Sequence, residues 1–258
     1  MSRTGQETAA PQRLDKFLGR AGLGTRSELK KAIRGGRASV NSSVEKDPGR
    51  QVLAGDQVFF DGEPVGGDRF VYYLLHKPAG VITATEDARS RTVMDLLREP
   101  SGGTAPVLRK GLFPVGRLDL DTEGLLLITD DGPLAHRLLA PGKHVDKTYY
   151  AVVTGRVTDE EIRIFAEGME IGRDGSAEAC RVQPAELQVI DAREDQSLTR
   201  VTIREGKYHQ IKRMFAAAGH RVVYLRRESM GPLSLDPDLA PGDFRALTAE
   251  EIGSLKNL

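Results

Sequence analysis

The chain has 258 residues, enough for one large domain or for a small domain followed by a medium one. Apolar residues at 39% and charged residues at 29% suit a soluble globular protein, and no run of about 18 apolar residues is present to span a membrane. Thirty-seven basic and 37 acidic residues cancel, one cysteine (Cys180) excludes a disulfide framework or a cysteine-built metal cluster, and five scattered histidines show no ligand spacing.

The first ten residues, Met1 to Ala10, are polar and small, without the apolar segment of a signal peptide, so a frayed tail and a cytoplasmic location are expected. Leu14, Phe17, Leu18 and Ala21 then follow the spacing of an amphipathic helix, which Gly22 and Gly24 end. Thr25 and Glu28 have capping-box spacing and open a second helix with Leu29, Ala32 and Ile33 on one face. Strands are expected at Ala38–Val40 and Gln57–Phe60. The neutral total hides segregation: between Arg13 and Arg37 the local charge is +6, and between Arg204 and Arg227 it is again +6. Two such patches on a neutral chain point to a polyanion touched in two places.

The stretch from Asp61 to Asp68, rich in glycine and proline, reads as a linker. The resulting division is a domain over 12–64, a linker over 65–69 and a second domain over 70–255. In the second domain Phe70–Leu75 reads as a strand that stops at Lys77-Pro78-Ala79-Gly80, Thr92–Arg98 as a short helix, and 101–104 as a loop. Leu125–Thr129 is a buried strand. Asp130-Asp131-Gly132 turns into a helix to Leu139, with Pro133 in its first position. A strand at Thr148–Val153 precedes a third element with capping-box spacing, Thr158 and Glu161. Strands near Cys180–Ile190 and Leu198–Ile203 precede a helical stripe of Ile211, Met214, Phe215 and Ala218, closed by Gly219. Strands broken by single helices, without strict alternation, argue an α+β class.

Chemistry concentrates in Gly116-Arg117-Leu118-Asp119-Leu120-Asp121-Thr122-Glu123-Gly124, a turn that feeds the apolar strand. A carboxylate two residues from a guanidinium suits a site that holds an aspartate beside a polyanion: Asp119 as a nucleophile, Arg117 on phosphate or in a gap of a base stack. Three weaker patches accompany it: the Lys77 turn, Asp146-Lys147-Thr148-Tyr149, and the segment from Arg204 to Phe215. On a helical wheel Lys212 falls at the edge of the apolar stripe and Arg213 points away from it. A half-buried Lys212 needs a carboxylate partner, and Asp119 is the candidate.

Residues 12–64 resemble the S4 RNA-binding domain, through Arg13-Leu14-Asp15-Lys16-Phe17-Leu18, Thr25-Arg26-Ser27-Glu28-Leu29-Lys30-Lys31-Ala32-Ile33 and Gly36-Arg37-Ala38-Ser39-Val40-Asn41. The four patches in this order resemble the RsuA-type pseudouridine synthases. Within that branch Lys207-Tyr208-His209-Gln210-Ile211-Lys212-Arg213-Met214-Phe215 is similar to the small-subunit enzyme; His76 departs from the asparagine common there. The resemblance implies a small S4 domain (an αL-type RNA-binding fold) followed by a synthase domain with a mixed, mostly antiparallel sheet and flanking helices. It implies isomerisation of uridine to pseudouridine in 16S ribosomal RNA, at a uridine-516-type site, with no cofactor and no metal. Asp119 would be the nucleophile, Tyr149 the residue stacked on the base, and Lys212 the partner keeping Asp119 ionised. Arg117 would fill the gap left by the flipped base. RNA would also be held by Arg13, Lys16, Arg26, Lys30, Lys31, Arg37, Lys77, Lys207 and Arg213, mostly through phosphates. The partner would be ribosomal RNA, in an assembling small subunit, with the protein a monomer away from membranes. Three alternatives compete: the same chemistry on 23S ribosomal RNA, a non-catalytic RNA-binding assembly factor, and a hydrolase using Asp119 and Asp121 from one face.

Overall fold

The computed structural model describes residues 11–53, 56–65, 70–98 and 111–258. The expected tail at 1–10, the linker residues 66–69 and the loop at 101–104 lie outside them. The chain divides into two compact units, the first formed by the residues up to Val71 together with Gly111 and Leu112, the second by the other described residues from Tyr72 on.

In the first unit, α1 (Leu14–Arg20) and α2 (Arg26–Arg34) pack on an antiparallel sheet. Its strands are β1 (Ala38–Val40), β2 (Ser43–Glu45), β3 (Val58–Phe60) and β4 (Glu63–Val65), in the order β2-β1-β3-β4. The capping box forms as read: the Thr25 hydroxyl accepts from the Glu28 N–H, and the Glu28 carboxylate accepts from the Thr25 N–H at 2.7 Å. Leu14, Phe17, Leu18, Leu29, Ala32 and Ile33 close over Ala38, Val40, Val58 and Phe60. The stretch read as a linker starts too early. Asp61 and Gly62, both at positive φ, make the tight turn of a hairpin, and Val65 packs against the core.

The second unit is built on a nine-stranded sheet. Its longer strands are β5 (Tyr72–Lys77), β6 (Glu123–Thr129), β7 (Lys147–Thr154), β8 (Glu186–Ala192), β9 (Gln196–Ile203), β10 (Val222–Met230) and β11 (Phe244–Ala246). Their order is β8-β9-β7-β10-β6-β5-β11, antiparallel throughout except for the parallel pairing of β10 with β6. Helices α3 (Val93–Arg98), α4 (Gly132–Leu139), α5 (Asp159–Glu167), α6 (Gln210–Ala217) and α7 (Ala249–Lys256) accompany it. Among the described residues no helix is long and apolar enough to cross a membrane. The class is α+β, with the mixed, mostly antiparallel sheet expected.

Several element ends shift by a residue or two, the first strand from Phe70–Leu75 to Tyr72–Lys77 among them, and two further readings change. Asp131 caps α4, so Gly132 takes its first position and Pro133 its second. The strand expected over Cys180–Ile190 breaks in two. Cys180–Arg181 pairs with Glu170–Ile171 away from the large sheet, and the chain resumes as edge strand β8.

The sheet centre decides where the site lies. Leu125 to Ile128 of β6 are fully buried, so the loop ahead of β6 is anchored to a strand held in the core. Strand β10 meets β6 side by side at Gly124 and Arg227. Gly124 has φ 107°, and a Cβ there would lie 2.3 Å from the Arg227 carbonyl oxygen. Only glycine permits that approach.

Candidate active site

A cleft of about 500 Å³ opens on one face of the sheet. Arg117, Leu118, Asp119 and Thr122 line it from the loop before β6, Lys147 and Tyr149 from β7, Leu225 and Arg227 from β10, and the segment from Arg204 to Lys212 closes it. Strand β7 alternates strictly, so Lys147, Tyr149, Ala151 and Val153 are all buried on one side. That alternation aims Tyr149 at the cleft, 7% exposed, with the Arg227 guanidinium 6.0 Å over its ring. Arg227 itself is buried and donates from Nε to the Leu125 carbonyl at 2.7 Å.

The loop carrying Asp119 is tied on several sides. Gly116 turns the chain at φ 77°. Leu118 exchanges hydrogen bonds with the Thr83 hydroxyl, at 2.8 and 3.1 Å, and the Thr122 N–H donates to the Asp119 carbonyl at 3.1 Å. From beneath, the Lys77 ammonium donates to the carbonyls of Pro78 (2.9 Å), Leu120 (3.3 Å) and Thr122 (2.9 Å). Lys77, expected to touch RNA, is therefore wholly buried and serves as a tether of this loop. Burial pushes its ammonium down to about 8, against the opposing charges of Asp119, Asp121 and Glu123.

Lys212 reaches into the cleft from α6. Its Nζ lies 3.2 Å from Asp119 Oδ2, as expected, and 2.5 Å from Asp121 Oδ1. Asp121 is the shorter contact and the more exposed carboxylate, 72% against 29% for Asp119. Burial lowers the pKa of Lys212, but the Asp121 hydrogen bond and the Asp119 charge outweigh it and leave the ammonium above its ordinary value. Asp121 is likewise raised by burial and more than compensated by Lys212, so it sits below the usual carboxylate range. The two carboxylates thus share one cation.

The structure also brings in His209, which the sequence reading used only to distinguish branches of a family. Its Nε2 lies 3.8 Å from Asp119 Oδ1 and its Nδ1 lies 2.6 Å from Asp174 Oδ2. Asp174, some 35 positions earlier in the chain, carries no motif that could have announced it.

The remaining expected RNA contacts divide. Arg117 is exposed at the cleft. Lys207 also lines the cleft, but its ammonium is engaged by the Arg181 carbonyl and lies 3.7 Å from Glu205. Arg213 does not point away from the helix core. It is buried, 6% exposed, and donates to the carbonyls of Gly172 (2.8 Å), Tyr208 (3.1 Å) and Glu178 (2.6 Å). The wheel placed it outside because the segment 171–178 that covers it is distant in sequence. With Arg213 and Arg227 buried and Arg226 on Glu228, only part of the second basic run faces solvent: Arg204, paired with Asp146, and Arg221 are exposed.

In the first unit Lys16, Arg26, Lys31 and Arg37 are exposed and Lys30 is half-buried. Arg13 forks onto the fully buried Asp15 at 3.1 and 3.0 Å, and Arg26 lies 3.6 Å from the same carboxylate. The Arg13 hydrogen bond holds Asp15 below the usual carboxylate range despite its burial. Arg37 pairs with Asp61 and lies 4.9 Å over the Phe60 ring.

Comparison with known proteins agrees with this architecture. Residues 71–217 match the RNA pseudouridylate synthase family and residues 12–58 match the S4 domain. The chain is 44% identical over 93% of its length to "Uncharacterized RNA pseudouridine synthase YtzG" of Bacillus subtilis, covering 96% of that protein. It is 39% identical over 94% of its length to "Ribosomal small subunit pseudouridine synthase A" of Yersinia pestis, covering 97% of it. The Escherichia coli protein of the same name gives the same identity and covers 99%. A solved structure described as "Crystal structure of pseudouridylate synthase" superposes with a TM-score of 0.63 at 35% identity, covering 94% of this chain and 99% of the other. With fold, domain order and sequence in agreement along nearly its whole length, the chain belongs to the RNA pseudouridylate synthase family and is a pseudouridine synthase carrying an S4 domain ahead of its synthase domain.

Proposed function

We propose that this enzyme converts one uridine of 16S ribosomal RNA to pseudouridine, with Asp119 as the nucleophile. The observation that carries the reading is Asp119 itself. It is fixed at the mouth of the cleft by a tethered loop, 3.2 Å from Lys212, with Tyr149 on the adjoining wall. The small-subunit target is supported by the relatives named for that activity, which match the chain from end to end.

The chemistry follows from the residues present. The target base must leave the helical stack to reach a cleft of this size, and stacks on Tyr149 once there. Arg117, exposed at the rim, occupies the space the base vacates. As the N1–C1′ bond breaks, the Asp119 carboxylate captures C1′, a step that glycosidase carboxylates also perform on a sugar carbon of oxocarbenium character. Lys212 pairs with that carboxylate and orients it before attack. The detached uracil turns on Tyr149 until C5 faces C1′. The C5–C1′ bond then forms as the carboxylate departs, C5 loses its proton and N1 gains one. Substrate and product have the same atoms and oxidation state, so no co-reactant enters. The exposed basic residues of the first unit, Lys16, Arg26, Lys31 and Arg37, with the half-buried Lys30, hold neighbouring RNA through phosphates.

The test is pseudouridine mapping on 16S and 23S transcripts and on assembling small-subunit particles, with wild type and Asp119→Asn. One site in the small-subunit RNA, absent with the mutant, is the expected result. A site in 23S RNA keeps the chemistry and overturns the target. Product from Asp119→Asn within about tenfold of wild type overturns the nucleophile.

A further inference from the structure

The two carboxylate oxygens of Asp119 have different neighbours. Oδ2 lies 3.2 Å from Lys212, and Oδ1 faces His209 Nε2 at 3.8 Å. The other ring nitrogen, Nδ1, lies 2.6 Å from Asp174 Oδ2. An imidazole therefore stands between two carboxylates, one in the cleft and one on the segment beyond Ile171. Its placement is over-determined. The His209 backbone is left-handed, φ 47° and ψ 32°, at the residue before α6, and its side chain makes no cap hydrogen bond there. A residue with a Cβ occupies that region only where its surroundings impose it. Its ring stacks on Tyr208 with centroids 3.8 Å apart and planes at 23°. Backbone, ring face and one nitrogen are fixed, and the remaining nitrogen is aimed at Asp119.

We propose that His209 is a positioning residue for Asp119: held by Asp174, it fixes Oδ1 while Lys212 fixes Oδ2. The inference rests on Asp119 being the nucleophile. At 3.8 Å the contact is longer than a hydrogen bond, and contacts of this kind tighten when substrate closes the site. A carboxylate that must meet C1′ along one line gains from having both oxygens held, because a misplacement of about 1 Å costs on the order of a hundredfold in rate.

The flanking groups can only accept: Asp119 Oδ1 and Asp174 Oδ2 each offer a lone pair to a ring nitrogen. The ring therefore ties the nucleophile's loop to the 171–178 segment, and its removal frees Oδ1 while leaving the Lys212 contact to Oδ2 in place.

The experiment is single-turnover tritium release from a 16S transcript labelled at uridine C5, with the full-length protein, beside a separate titration of RNA affinity. Isomerisation replaces the C5–H bond, so release counts the reaction. His209→Ala is expected to lose about tenfold to a hundredfold in rate at saturating RNA, with RNA affinity within about twofold. His209→Gln, whose side-chain amide can donate to Asp119, is expected to keep most of the rate. Asp174→Asn removes the carboxylate that holds the ring and is expected to lower the rate severalfold with RNA affinity within about twofold. A His209→Ala rate within about threefold of wild type, at an unchanged melting temperature, overturns the proposal. If that variant melts early, His209→Gln decides: a rate as low as that of His209→Ala, at the wild-type melting temperature, overturns it. Asp119→Asn run alongside separates the two readings. Product from it removes the nucleophile, whereas an inactive Asp119→Asn beside a wild-type-like His209→Ala removes only the role of His209.

Discussion

Replacing Lys77 by methionine separates two effects that pull stability in opposite directions. The lysine is 0% exposed, and its ammonium donates to three carbonyls, two of which, Leu120 and Thr122, belong to the loop that holds Asp119. At the low end of the range for bonds to a charged group, about 1.5 kcal/mol each, their loss costs roughly 4 to 5 kcal/mol. The low end applies because Leu120 lies at an exposed turn, where water can replace the lysine. Against this, burial has brought the ammonium from 10.5 to about 8, so holding it charged at neutral pH costs about 3 kcal/mol, which methionine recovers. The net expectation at pH 7 is a loss of only about 1 to 2 kcal/mol, read by urea denaturation. The sign with pH is fixed by linkage. Between about 8 and 10.5 the unfolded chain binds a proton that folded Lys77 does not, so wild type gains stability as pH rises through that window. Lys77→Met should not gain it, and the difference between the two should widen by up to about 3 kcal/mol. Single-turnover isomerisation should nonetheless fall about tenfold to a hundredfold, because the loop under Asp119 loses its tether. RNA affinity should not move, since the side chain has no exposed surface. A variant as active as wild type, or a stability difference flat from pH 7 to 10.5, would refute the tether.

Three further outcomes follow from the same geometry. Gly124→Ala places a Cβ 2.3 Å from the Arg227 carbonyl at φ 107° and should destabilise the synthase unit by about 3 kcal/mol or more; a midpoint shift worth under about 1 kcal/mol would mean that β6 and β10 are not pressed together there. Arg213→Met strips the donors from the Gly172, Tyr208 and Glu178 carbonyls and should cost roughly 2 to 4 kcal/mol while leaving the salt dependence of RNA binding unchanged; a shallower salt slope would restore Arg213 as a phosphate contact. Reversing Arg26, Lys30, Lys31 and Arg34 together should weaken RNA binding and reduce its salt slope by up to about 3, measured by titration between low and moderate salt; an unchanged slope would take the helices of the first unit out of the RNA interface.

Much of the fold was written in local pattern. The Thr25–Glu28 and Thr158–Glu161 boxes formed as spaced, because a cap involves residues three apart and no others. The apolar run at Leu125–Thr129 became the central strand, since a strand buried on both faces has no polar positions. The Gly116–Gly124 motif marked the loop that faces the cleft, and the Lys212 partnership followed from helical periodicity alone. What failed did so where the deciding neighbour was far along the chain. Periodicity left Arg213 outside because it cannot register the 171–178 segment folded over it; the family resemblance placed Lys77 on RNA, and charge counting put Arg227 in a basic patch, because neither registers burial. Asp174, which holds His209, and Asp121, which shares Lys212, became meaningful only through distances. The sequence by itself determined the class, the domain order and the loop that faces the cleft, because caps, alternation and a motif are local and survive without coordinates. Tertiary structure alone decided which cations meet solvent and which tie down the loop, because burial and the direction of a hydrogen bond depend on segments that meet only when the sheet is assembled.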